Sequence, residues 1–121
     1  MTYCTRIDSP IGPLVIAGDD SVITHIRFHG ESDEAWHETP DAFVDAIAQL
    51  RAYFAGELTE FDLPLKPQGT PFQQSVWRAL LDIPYGETTS YGTIAKRIGK
   101  PDAVRAVGAA NGANPIPIVI P

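Results

Sequence analysis

The chain has a single cysteine, Cys4, so an internal disulfide is excluded and a reducing compartment is the natural setting. No apolar run approaches the ~20 residues that cross a bilayer, and the opening MTYCTRIDSP lacks the basic and apolar stretches of a signal peptide. A cytoplasmic protein without membrane contact is expected. Internal repeats and low-complexity tracts are also missing. Metal-ligand spacing is absent among Cys4, His25, His29 and His37. Only His25 and His29 stand close, and on a strand an i, i+4 pair spans ~13 Å. No metal and no cofactor are expected. Cys4 lies at the start of a strand with no helix N-terminus or neighbouring histidine to activate it, so it is not expected to be a nucleophile.

Within 121 residues, 44% are hydrophobic and 20% charged, which excludes global disorder. A chain of this length hides about two-thirds of its unfolded surface and has little core to divide. It forms one compact unit or two very small ones. The net charge of −6 argues against a nucleic-acid partner until it is divided along the chain. Residues 1–69 carry Arg6, Arg27, Arg51 and Lys66 against twelve carboxylates, a balance of −8. Residues 70–121 carry Arg78, Lys96, Arg97, Lys100 and Arg105 against Asp82, Glu87 and Asp102, a balance of +2. Four of those five cations fall between Lys96 and Arg105, a local positive field or simply a solvated helix face.

Alternation broken by Ser9-Pro10-Ile11-Gly12-Pro13 and Gly18-Asp19-Asp20-Ser21 predicts a three-stranded antiparallel meander over 3–8, 13–17 and 22–28, then an acidic loop from Gly30 to Glu38. Thr39-Pro40-Asp41 has the chemistry of a helix start, with Phe43, Ile47, Leu50 and Phe54 as the buried stripe and Gly56 as the stop. Residues 61–68, with Pro64 and Pro67, read as an extended connector. Thr70-Pro71-Phe72-Gln73 predicts a capping-box helix to about Asp82, burying Phe72, Val76, Ala79, Leu80 and Ile83. Ser90 caps a short helix closed by Gly99, and Pro101 opens another that runs to about Asn111. Residues 116–120 read as a buried strand. The fold class is therefore α+β, with a domain boundary near residue 69.

Two short helices joined through Gly99-Lys100-Pro101 have the layout of a helix-turn-helix. The second, with Ala103, Val104, Ala106 and Gly108, has almost no long polar side chain to read base edges in a major groove. Such a helix suits either an alanine-rich core or close approach to a narrow minor groove. Arg105 stands alone among these small residues. It fits a side chain that fills the space left by an extruded nucleotide, or a salt bridge to Asp102.

The stretches FQQSVWRALLDIPYGETTSYG and RAVGAANGANPIPIVIP resemble the DNA-binding domain of the O6-alkylguanine-DNA alkyltransferases, and IDSPIGPL and YFAGEL resemble, more weakly, their N-terminal domain. The resemblance implies a ribonuclease-H-like first unit (1–69) and a winged-helix-like DNA-binding unit (70–121). It also implies a monomer that binds duplex DNA carrying alkylated guanine (or O4-alkylthymine) through the minor groove, flips the nucleotide and transfers the alkyl group to its own cysteine. Arg105 corresponds to the arginine finger. Tyr91 corresponds to the tyrosine that crowds the 3′ phosphate and is proposed to protonate the leaving guanine, although a phenol here also suits a helix core. Asn114 corresponds to the asparagine hinge, and is equally a turn residue before proline. Ser90, Lys100, Ala103, Val104, Ala106 and Gly108 fall on the DNA-binding surface, and Pro117 and Val119 on the wall of the alkyl pocket. In the family the acceptor cysteine directly follows the proline here numbered Pro121, where this sequence stops. The expectation is a chain cut short of its nucleophile and inactive in transfer. The rival expectations are a non-enzymatic sensor of alkylated DNA and a fragment without function.

Overall fold

A computed structural model describes residues 1–19 and 22–121. Asp20 and Ser21, part of one expected turn, lie outside the described residues. The chain divides into two compact units, residues 1–66 and 67–121.

In the first unit, β1 (Tyr3–Ile7), β2 (Leu14–Gly18) and β3 (Ile23–Arg27) pair antiparallel in sequence order, as the alternation predicts. Pairing Cys4 with Ala17 and Arg6 with Val15, then Ala17 with His25 and Val15 with Arg27, puts these six residues on one face of the sheet. Trp36 covers that face, packing on Cys4, Val15 and Ala17. The sheet has a fourth member that sequence patterning does not reveal. Residues expected to be loop contribute β4 (His37–Glu38), parallel to β1, giving the order β3-β2-β1-β4. Two exposed residues carry no periodicity. They are held by the His37 N–H on the Thr2 carbonyl at 2.9 Å and the Thr39 N–H on the Cys4 carbonyl at 2.7 Å.

That last bond corrects the expected helix start. The Thr39 backbone continues the ladder instead of capping, residues 40–43 form a turn, and α1 (Val44–Phe54) begins after Phe43 in the left-handed region at φ 59°, without a side-chain cap. Ala46 and Leu50 are its buried residues, while Phe43, Ile47 and Phe54 are only half-buried. At its C-terminus Gly56, at φ 75°, allows a Schellman closure in which the Glu57 N–H reaches the Ala52 carbonyl at 2.9 Å. The connector is less free than its prolines imply. Gln49 binds both backbone groups of Asp62 through its amide, and Leu65 bridges to Ile23 at the edge of β3.

The second unit is helical: α2 (Pro71–Leu81), α3 (Tyr91–Arg97) and α4 (Val104–Gly112). Thr70 and Gln73 make both bonds of the expected capping box. Among α2 residues Val76, Trp77, Ala79 and Leu80 are buried. Trp77, not anticipated in the stripe, is 1% exposed, and its indole N–H donates to the Ala110 carbonyl at 2.8 Å, tying α2 to α4. Two further expectations fail. The last helix starts at Val104, since Pro101 and Asp102 form a turn in which the Ala103 N–H bonds the Lys100 carbonyl. Residues 116–120 are buried in part but are not a strand. The Ile120 N–H bonds the Ile116 carbonyl at 3.0 Å around Ile118 at φ 75°, so this apolar run is a tight turn. Among the described residues, no helix is long and apolar enough to cross a membrane.

Candidate nucleic-acid interface

Helix α3 is set by its ends. The Ser90 hydroxyl accepts from the Thr93 N–H at 3.1 Å and lies 2.9 Å from the Thr93 hydroxyl. At the other end Gly99, at φ 77°, permits a second Schellman closure, the Gly99 N–H bonding Lys96 O and the Lys100 N–H bonding Ala95 O. Ile94 and Ala95 are buried, which leaves Tyr91 at the first turn outside the core, 49% exposed. A core role for this phenol is thereby excluded.

Helix α4 buries one narrow stripe, Val107 and Ala110. It is therefore not a core helix despite its alanines. Val104 (41% exposed), Arg105, Ala106 and Ala109 are exposed, and Ala103 and Gly108 are half-buried. Val104, Gly108 and Asn111 succeed one another at i, i+4 and i+7, with Arg105 alongside. Arg105 makes no ion pair with Asp102 or with any other described residue.

Tyr91 and α4 meet at Gly108. A Cβ at that glycine would lie 3.2 Å from Cε2 and 3.3 Å from Cδ2 of the Tyr91 ring, so the missing side chain sets how closely the phenol approaches the helix. One turn on, Asn111 Nδ2 donates to the Tyr91 hydroxyl oxygen at 3.3 Å. Sequence patterning does not single out Asn111. Its partner lies 20 positions away, and no local pattern reports such a contact.

The cations are distributed unequally. Arg97 faces Asp82 at 3.8 Å in an exposed pair, worth about 0–1 kcal/mol. Lys100 extends over the Phe72 ring with Nζ 5.8 Å from its centroid, and Lys96 is exposed. Beyond α4, Asn114 works as a clasp. Its Oδ1 accepts from the Ile116 N–H at 2.9 Å and its Nδ2 donates to the Ile120 carbonyl at 2.8 Å. Pro117 is half-buried and Val119 buried within the turn so held.

Cys4 belongs to the first unit and is 1% exposed. Its thiol pKa is raised by burial and by the Glu38 carboxylate, which together outweigh Arg6. On the same sheet face Trp36 is flanked by His25, ring centroids 5.0 Å apart, and by the Arg27 guanidinium 4.4 Å from its ring centroid. Among the described residues, no group of three or more His, Cys, Asp or Glu converges to hold a metal ion.

Comparison with known proteins matches both units. Residues 2–67 fit the family model "6-O-methylguanine DNA methyltransferase, ribonuclease-like domain", and residues 71–121 fit "6-O-methylguanine DNA methyltransferase, DNA binding domain". The methylated-DNA–protein-cysteine methyltransferase of Mycobacterium tuberculosis (strain ATCC 25618 / H37Rv) is 58% identical over 125 aligned positions, covering 100% of this chain and 76% of the relative. The crystal structure of Mycobacterium tuberculosis O6-methylguanine methyltransferase has a TM-score of 0.94 at 58% identity, with 100% of this chain and 76% of that one covered. The Mycobacterium tuberculosis OGT in complex with DNA gives 0.93 at 59% identity, covering 98% and 74%.

Proposed function

Because the chain belongs to the 6-O-methylguanine DNA methyltransferase family, we propose that it is a DNA-repair alkyltransferase protein whose α3–α4 pair holds a duplex through the minor groove, as a monomer, and turns an O6-alkylguanine (or O4-alkylthymine) nucleotide out of the stack. The observation that carries this is an Arg105 without an ion pair, standing among small side chains on the exposed face of α4, beside a Tyr91 seated on Gly108. Small residues let the helix backbone approach a groove only about 6 Å wide. The guanidinium then stacks where the extruded base stood, offsetting part of an unstacking cost of a few kcal/mol. Tyr91 crowds the 3′ phosphate, and Ser90, Lys100, Ala103, Val104 and Ala106 line the contact. Asn114 keeps the 116–120 turn, with Pro117 and Val119 on the wall of the alkyl pocket, in a fixed relation to the end of α4.

Alkyl transfer needs a thiolate whose S–C bond forms as the C–O6 bond breaks, with a proton supplied to the departing guanine, a role for which Tyr91 is the candidate. Cys4, buried and held protonated, does not supply that thiolate. The share of the reaction we assign to these 121 residues is therefore binding and extrusion.

Fluorescence anisotropy with a duplex containing one O6-methylguanine tests the proposal. Affinity should fall steeply between 50 and 200 mM salt, and Lys96→Ala or Lys100→Ala should each reduce the salt slope by about one. Unchanged slopes in both variants would remove the interface from α3–α4. Incubation with a tritium-methylated duplex should leave no covalent label on the 121-residue chain. Label recovered on Cys4 would overturn the division of labour.

A further inference from the structure

We infer that Asn111 is a positioning residue for Tyr91, setting which way the phenol hydrogen points, and that the group it is turned toward is a phosphodiester oxygen of the bound DNA. The inference rests on the assignment of Tyr91 to nucleotide extrusion made above and concerns that step alone, which precedes any proton delivery to the departing guanine.

A phenol oxygen carries one hydrogen and two lone pairs. The Asn111 amide nitrogen, an obligate donor, sits 3.3 Å from that oxygen, so one lone pair on the α4 side is occupied and the hydrogen is left for a different acceptor. No other hydrogen bond of the Tyr91 hydroxyl is present among the described residues, and the ring is half exposed. The acceptor therefore comes from outside the protein. A hydroxyl that already accepts a bond is polarised and donates more strongly, and a phosphodiester oxygen is the acceptor that a duplex offers all along its backbone.

Gly108 and Asn111 divide the task. Without a Cβ at Gly108 the ring settles onto the helix, 3.2 Å from where that atom would be, and this brings the oxygen within reach of the amide three residues further along. An aspartate at position 111 has nearly the same shape but only acceptors. It would take the phenol hydrogen for itself and turn the donor away from the DNA.

A double-mutant cycle tests this. The target nucleotide of a duplex is replaced by 2-aminopurine, whose fluorescence rises on unstacking, and the flipped fraction is measured at saturating protein for the wild-type chain, Tyr91→Phe, Asn111→Asp and the double variant. Asn111→Asp should lower the flipped-to-stacked ratio about three- to tenfold, the effect of one hydrogen bond, and should have little further effect once the hydroxyl is gone in Tyr91→Phe. Asn111→Ala, which favours the helix and adds no charge, should show the same dependence on the hydroxyl with a smaller loss. If Asn111→Asp and Asn111→Ala reduce flipping equally in the two backgrounds, or not at all, while Tyr91→Phe alone impairs it, the inference fails and the role of Tyr91 stands. If Tyr91→Phe flips as well as the wild type, the inference falls; if Tyr91→Ala does so too, the role of Tyr91 in extrusion falls with it.

Discussion

Gly108→Ala sets fold stability and function against each other. In the middle of α4 a glycine costs about 0.5–1 kcal/mol relative to alanine, and its backbone is not in the left-handed region, so alanine is sterically allowed there. The new methyl would stand 3.2–3.3 Å from two carbons of the Tyr91 ring, a few tenths of an ångström inside ordinary contact. The ring is half exposed and can tilt outward at little cost, so the helix term dominates. We expect a net stabilisation of about 0.5 kcal/mol, a rise in Tm of roughly 2–4 °C. The tilt has a second effect. The bond from Asn111 to the Tyr91 oxygen is already 3.3 Å, and a displacement of a few tenths of an ångström takes it beyond hydrogen-bonding distance. The flipped fraction of a 2-aminopurine duplex should therefore fall several-fold in a protein that melts higher. Thermal unfolding followed by circular dichroism, paired with the fluorescence assay, separates the two effects. A lower Tm, or unimpaired flipping, would refute the packing argument at Gly108.

Three further outcomes follow from individual contacts. Asn114→Ala removes both bonds of the clasp and leaves the Ile116 N–H and Ile120 carbonyl without their partner at buried residues. A loss of about 1–3 kcal/mol, with faster hydrogen exchange across 114–120, is expected. The His25 pKa is lowered first by burial and then by Arg27, against the opposing pull of Asp33. The folded state therefore favours the neutral ring, and the unfolded chain binds the extra proton. Stability should be full above the ordinary value of 6.5 and decline as pH falls through the window below it, and urea titrations of His25→Gln should lose that component. Cys4, buried and held protonated, should react with iodoacetamide only at the rate of unfolding. Rapid labelling of the native chain would contradict its burial beneath Trp36.

Elements specified by nearby residues are legible in the sequence. The meander follows from alternation and turn residues, the start of α2 from Thr70 and Gln73, and the limits of α3 from Ser90 and Gly99. What escapes notice is set by distant partners. β4 has two exposed residues and exists because β1 offers its edge. Thr39 has the chemistry of a cap, but its N–H is taken by the Cys4 carbonyl. The Ile118-Val119-Ile120 run is apolar enough for a strand, and short apolar runs do not reveal their geometry. It is bent by the Asn114 clasp. The burial of Trp77 is not legible because nothing in α2 shows that the Ala110 carbonyl awaits its indole. At the candidate interface composition leaves α4 as either an alanine-rich core helix or a groove-facing one, and Arg105 as either paired with Asp102 or free to enter a stack. The narrow buried stripe of Val107 and Ala110 and the missing ion pair among the described residues decide both, and the seat of Tyr91 on Gly108 and its bond to Asn111 required the packing of two helices.

The most direct measurement compares wild type and Arg105→Ala on a single duplex carrying 2-aminopurine at the target position, reading anisotropy for binding and fluorescence for extrusion in the same sample. In the proposed complex Arg105 fills the stack, while Lys96 and Lys100 carry the salt-dependent attraction to the backbone. Affinity should therefore change by no more than a few-fold while the flipped population collapses. Equal extrusion by the two proteins would show that the guanidinium does not occupy the vacated space.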